Sequence, residues 1–125
     1  MEAKQKAFLC AHYALDKKAF NLTILDIREL SSLADFLVIA SGNSDRQVQA
    51  IAEAVRLGCK NNERISPLGV EGVKEGRWAL LDYGDVMVHL FQPTLREFYD
   101  LESMWSEAPR VELPEEFSER KIRLK

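Results

Sequence analysis

The chain has 125 residues, 46% of them apolar and 30% charged, a balance that suits one globular domain with a single core and is too short for two. A net charge of -3 without a strong Lys/Arg cluster excludes a protein held mainly by nucleic-acid phosphates, which needs clustered cations. No run approaches the ~20 apolar residues that cross a bilayer, and the opening MEAKQKAFLC lacks the apolar segment of a secretion signal, so the cytoplasm is the expected compartment.

The first segment, Ala3 to Lys18, is rich in Ala, Leu and Lys and free of Gly and Pro, which predicts a helix with an apolar stripe through Phe8, Ala11 and Leu15. His12 falls inside it and is expected at the surface or its boundary. A β-branched run, Leu22 to Arg28, predicts a strand, and Ala34 to Ser41 predicts a second, more buried one. Their short connection makes them antiparallel neighbours. Ser44, followed three residues later by Gln47, is a capping-box start for a helix. Val48, Ile51, Ala52, Val55 and Cys59 give that helix its buried face, Gly58 weakens its last turn, and Asn61-Asn62 ends it. One short strand fits between Leu68 and Glu71. A hairpin follows, with strands Trp78 to Tyr83 and Val86 to Phe91 joined at Gly84-Asp85. Pro93 stops the second strand, and Thr94 to Trp105 predicts one amphipathic helix through Leu95, Phe98, Leu101, Met104 and Trp105. The compact domain is expected over 1–109, with 110–125 a charged, mobile tail poor in apolar anchors. The order αββα(β)ββα is a mixed α/β layered fold, a sheet of four or five strands carrying helices.

Few residues are arranged for chemistry. The Ser41-Gly42-Asn43-Ser44 turn sits where phosphate loops occur but lacks their glycine patterns, and a tight turn into a capped helix accounts for it. A metal-dependent nucleotidyltransferase of similar layout needs paired carboxylates on adjacent strands; here Arg28 stands where the partner of Asp26 should be. Cys10 and Cys59 are expected as reduced thiols within helices. His12 and His89 build no catalytic set by spacing. No cofactor and no metal site are expected.

The hairpin carries more information. Alternation puts Ala79, Leu81 and Tyr83 with Val86, Val88 and Leu90 on one face, and Trp78, Leu80 and Asp82 with Met87, His89 and Phe91 on the other. The second set is too apolar for a solvated face, so either a helix of the chain or a protein partner covers it.

Three phrases, DFLVIASGNSDRQVQAIAEAV (Asp35 to Val55), GRWALLDYGDVMVHLF (Gly76 to Phe91) and REFYDLESMWSEAPRV (Arg96 to Val111), extended upstream by LDIRELSSLADF (Leu25 to Phe36), together resemble the ribosomal silencing factor, or Iojap-like, family. The resemblance spans roughly residues 3 to 111 in the family's order and spacing. It implies a nucleotidyltransferase-like fold without that activity. It further implies docking on the large ribosomal subunit, through the subunit protein numbered fourteen on the intersubunit face, so that the small subunit cannot join and translation falls when nutrients are scarce. Little direct contact with ribosomal RNA is expected. Carried onto this chain, the contact surface is Trp78, Leu80, Asp82, Tyr83, Asp85, Met87, His89 and Tyr99. Trp78 and Leu80 are its anchors, and Asp82 and Asp85 face partner cations. Tyr83 is its weakest member, because alternation turns it toward the core. Two other readings remain open at this point: a nucleotidyltransferase or phosphotransfer enzyme, and a homodimeric scaffold that uses the same sheet face.

Overall fold

In the computed structural model, which describes residues 1–118, the Ala-rich opening forms helix α1 (Ala3–Asp16). Strand β1 (Phe20–Asp26) follows, then β2 (Phe36–Ser41), every residue of which is buried. The two pair antiparallel, Ile24 opposite Val38 and Asp26 opposite Phe36. Helix α2 (Asp45–Glu63) begins at Ser44, whose hydroxyl accepts the Gln47 backbone N–H. The Gln47 side chain reaches back to the N–H of Asn43, so both donors of the incoming turn are satisfied. Strands β3 (Gly69–Glu71), β4 (Trp78–Asp82) and β5 (Val86–Phe91) complete the sheet.

The sheet order is β1-β2-β5-β4-β3. Neighbours are antiparallel except β2 and β5, which run parallel with Val38 opposite Val88. A parallel pair needs a long crossover, and α2 provides it. The β4–β5 connection is the two-residue Gly84-Asp85 turn. Gly84 has φ 88°, a conformation cheap for glycine and matched to the twist of a hairpin.

α1 and α2 cover one sheet face. Phe36, Val38, Ala79, Leu81, Val88 and Leu90 meet Cys10, Ala11, Ile51, Val55 and Cys59 there in the main core. This is the aliphatic face that alternation assigns to the interior. The two helices approach closely at Gly58, where a Cβ would stand 2.6 Å from the Tyr13 ring. The expected loosening of the last turn is thus secondary to a packing need. Gly58→Ala should destabilise the chain by about 1–2 kcal/mol despite alanine's better helix propensity, read as a lower urea midpoint at unchanged slope. A rise in midpoint would refute the close approach.

Four expectations are corrected. The helix expected over 94–105 is two short ones, α3 (Pro93–Tyr99) and α4 (Leu101–Met104). Asp100 between them is left-handed, φ 47°, and its carboxylate accepts the Ser103 hydroxyl at 2.6 Å, a local alternative to continuing the helix. α2 runs past Asn61-Asn62 to Glu63 and is capped by Arg64 at φ 60°. His12 is buried rather than superficial, its Nδ1 2.9 Å from the carbonyl of Phe117.

The fourth correction concerns the segment after 109, expected to be mobile. Arg110 bridges Leu25, and the Val111 N–H bonds to the Ile24 carbonyl at 2.9 Å, giving the exposed edge of β1 a partner. Helix α5 (Glu115–Ser118) then lays buried Phe117 beside Phe8, ring centroids 5.4 Å apart. Val111, Leu113 and Phe117 are anchors enough. The rest of that expected tail, 119–125, lies outside the described residues.

Among the described residues no helix is long and apolar enough to cross a membrane.

Candidate protein-docking face

On the sheet face opposite α1 and α2, β4 and β5 align Trp78 with Phe91, Leu80 with His89 and Asp82 with Met87. Period-two alternation along two paired strands suffices to put these six side chains together. The half of this face over β1 and β2 is closed: Leu25, Leu37, Ile39 and Phe91 form a second, smaller core with Leu95, Leu101, Trp105 and Ala108. The half over β4 is open, with Trp78, Leu80, Asp82 and Met87 only partly buried. The chain's own helices therefore account for one half of the cover and leave the other available.

Aromatic rings organise the open half. Trp78 stacks on Phe91 at 4.8 Å between centroids and meets Tyr99 at 4.6 Å. Phe98 stands edge-on to Tyr99 at 5.1 Å. Such pairs add stabilisation beyond the area they bury. The Trp78 indole N–H donates to Nδ1 of His89 at 3.2 Å, which requires that nitrogen to be unprotonated. Burial pushes the His89 imidazole down to about 4, so the neutral form accepts the bond at physiological pH.

α3 and α4 bury no residue completely, and a polar anchor holds them. Arg96 donates to Glu102 at 2.7 Å and 3.2 Å, to the Ser41 hydroxyl at 2.9 Å and to the Thr23 hydroxyl at 3.3 Å. Its side chain is 12% exposed, and this set of acceptors compensates a charge taken largely out of water. The Arg96 hydrogen bond holds the Glu102 carboxyl below its usual range. Anchored this way, α3 presents Phe98 and Tyr99 at the rim, 76% and 47% exposed, with Met104 of α4 at 70%.

Six of the eight residues expected at a contact surface gather here: Trp78, Leu80, Asp82, Met87, His89 and Tyr99. Two do not. Tyr83 is buried in the main core, and Asp85 pairs with Lys6 of α1 at 2.8 Å. Asp82 is also engaged locally, since its carboxylate accepts the Gly84 N–H at 2.8 Å, the short-range bond typical of Asp at a turn. Phe98 and the Arg96–Glu102 anchor were absent from the expected surface. Phe98 had no distinguishing signal, because an apolar residue at helical spacing reads as core.

Elsewhere, Asp26 accepts from the Arg28 guanidinium at 2.9 Å and 2.7 Å and from its backbone N–H at 3.1 Å. The carboxylate that a metal-dependent transferase would need is therefore occupied by the neighbouring cation.

The family model described as "Ribosomal silencing factor during starvation" matches residues 1–124. The chain is 43% identical over 98 residues to the ribosomal silencing factor of Halalkalibacterium halodurans, covering 78% of this chain and 83% of that one. It is likewise 43% identical over 98 residues to the ribosomal silencing factor of Bacillus subtilis, covering 78% and 82% of the two chains. A crystal structure of a Chromobacterium violaceum protein superposes with a TM-score of 0.82 at 36% identity, over 85% of this chain and 88% of that one.

Proposed function

The chain belongs to the ribosomal silencing factor family, and from that premise we propose that it binds the large ribosomal subunit and sterically blocks the small subunit from joining, repressing translation under nutrient limitation. The landing site is the large-subunit protein numbered fourteen on the intersubunit face, with little contact to ribosomal RNA. The reading requires no cofactor and no turnover, and it places the protein in the cytoplasm.

The observation that supports it is the half-open aromatic face. An apolar strip of Trp78, Leu80 and Met87, flanked by Phe98 and Tyr99 and edged by Asp82, has the make-up of an interface centre with a polar rim. The net charge of -3 suits a basic ribosomal protein and should make association fast and salt-sensitive. Tyr83 and Asp85 act from behind this face, one by filling the core beneath the hairpin and the other by tying its tip to α1.

The test is co-sedimentation of the chain with isolated large and small subunits, beside a Phe98→Ser/Tyr99→Ala double variant. Both side chains are substantially exposed, so the variant should keep its fold by circular dichroism. The unaltered chain is expected to pellet with the large subunit only and to keep the small subunit from joining. The variant is expected to bind at least about tenfold more weakly. Absence of binding to either subunit at moderate salt sinks the reading, and undiminished binding by the folded variant moves the interface elsewhere. Concentration-dependent sedimentation of the free chain, abolished by the same substitutions, would instead favour the homodimeric scaffold.

A further inference from the structure

We propose that Cys10 and Cys59 form a redox-responsive dithiol, which peroxide converts into an intramolecular disulfide joining α1 to α2. Both cysteines are free and buried, and their Sγ atoms lie 3.9 Å apart. The neighbouring turn supports the geometry. Gly58, next to Cys59, lets α2 approach the Tyr13 ring, one helical turn from Cys10, so closely that a Cβ would collide with it. Bond formation asks the sulfurs to close from 3.9 Å to about 2.05 Å, within reach of side-chain rotation and a small helix shift. The proposal is independent of the docking reading, because the pair lies on the sheet side opposite Trp78 and Tyr99.

The surroundings assign the two sulfurs different parts. Their mutual hydrogen bond, then burial, raises the Cys10 thiol above its ordinary value, whereas the same bond favours the thiolate at Cys59. Of the two sulfurs, Cys59 is the one that gives up its proton more readily. The Cys59 thiolate attacks one oxygen of hydrogen peroxide, the O–O bond breaks, and hydroxide leaves to take a proton as water. Cys59 is now a sulfenic acid. Cys10 loses its proton and attacks that sulfur, the S–OH bond breaks, and the hydroxide departs as a second water. Two thiols have lost two protons and two electrons, and one peroxide has become two waters. A small neutral oxidant suits a buried pair, since it can enter through local opening of the helices.

The experiment exposes the full folded chain to hydrogen peroxide, then denatures it, alkylates the remaining thiols and maps its peptides. The expected result is loss of both alkylation sites, a fall of about 2 Da in chain mass, a Cys10–Cys59 linked peptide, and full reversal by dithiothreitol. The oxidised chain should melt at least about 5 °C higher, because a long loop is closed in its unfolded state. In Cys10→Ala, where no second thiol remains to resolve it, a sulfenic acid should accumulate at Cys59 and be trapped as its dimedone adduct. Two thiols still alkylated after peroxide, a bond formed only between chains, or an internal bond that lowers the melting temperature would each overturn the proposal. The linked peptide from the unaltered chain decides the matter even if a variant fails to fold.

Discussion

Gly72→Ala is expected to lower the unfolding free energy by about 3 kcal/mol, among the largest effects of any single methyl group in this chain. Gly72 has φ 77°, and a Cβ there would stand 2.0 Å from the carbonyl oxygen of Trp78. Two costs add. A side chain in the left-handed region costs about 1 kcal/mol, and a backbone carbonyl cannot rotate away as a flexible side chain does. The oxygen struck belongs to the first residue of β4, the one whose indole heads the open aromatic face. Displacing it should disturb the proposed docking face as well as the fold. Gly69→Ala is the matched control: nothing lies within 4 Å of its Cβ position, so the change should stay within about 0.5 kcal/mol. Denaturant midpoints that coincide for the two variants would contradict this account.

The second large effect is on acid stability. In the unfolded chain His89 titrates at its ordinary value of about 6.5, and in the folded chain burial lowers it to about 4. The folded state therefore binds the proton less readily than the unfolded state. The corresponding stability is fully present above pH 6.5 and is lost progressively as the pH falls from there to about 4. Its size is about 3–4 kcal/mol, from roughly 1.4 kcal/mol for each unit of difference. Protonated Nδ1 turns from acceptor to donor and faces the Trp78 indole N–H that it previously accepted. Glu102, Asp26 and Glu53, whose carboxyls are held below their usual range by Arg96, Arg28 and Arg56, also lose stability in acid, but at lower pH. Comparing unfolding free energies of the unaltered chain and His89→Gln between pH 7 and pH 4 isolates the histidine. The difference between the two profiles should open between pH 6.5 and 4; parallel profiles across that window would falsify the assignment.

The hairpin shows why part of the docking face was legible before any coordinates. Trp78, Leu80 and Asp82 must share a face with Met87 and His89 once two strands meet at Gly84-Asp85, because side-chain period and turn length together set the register. The same rule turns Tyr83 inward. Asp85 was less legible, since a turn residue has no alternating partner and its carboxylate is claimed by Lys6, distant in sequence. Leu95, Phe98, Leu101, Met104 and Trp105 recur at helical spacing, which predicts one helix across the α3–α4 region. Asp100 breaks that run, and its left-handed backbone left no composition signal strong enough to outweigh the periodicity.

Local rules acting over a few residues thus determined the element order as far as β5, the start of α2, the antiparallel β1–β2 pair, the hairpin register and which face of each strand is apolar. The family was legible too, from four phrases in order. Long-range contacts decided the rest. The parallel β2–β5 pairing, the thiol pair of Cys10 and Cys59, the Arg96 anchor to Ser41, Thr23 and Glu102, and the return of Val111 and Phe117 onto β1 and α1 each join residues far apart in the chain. Apolar patterning states that a residue is buried but not against what, because the hydrophobic effect is non-directional and scales with area. Choosing among burial partners requires the whole fold, in which hydrogen bonding of buried polar groups and close packing select one arrangement.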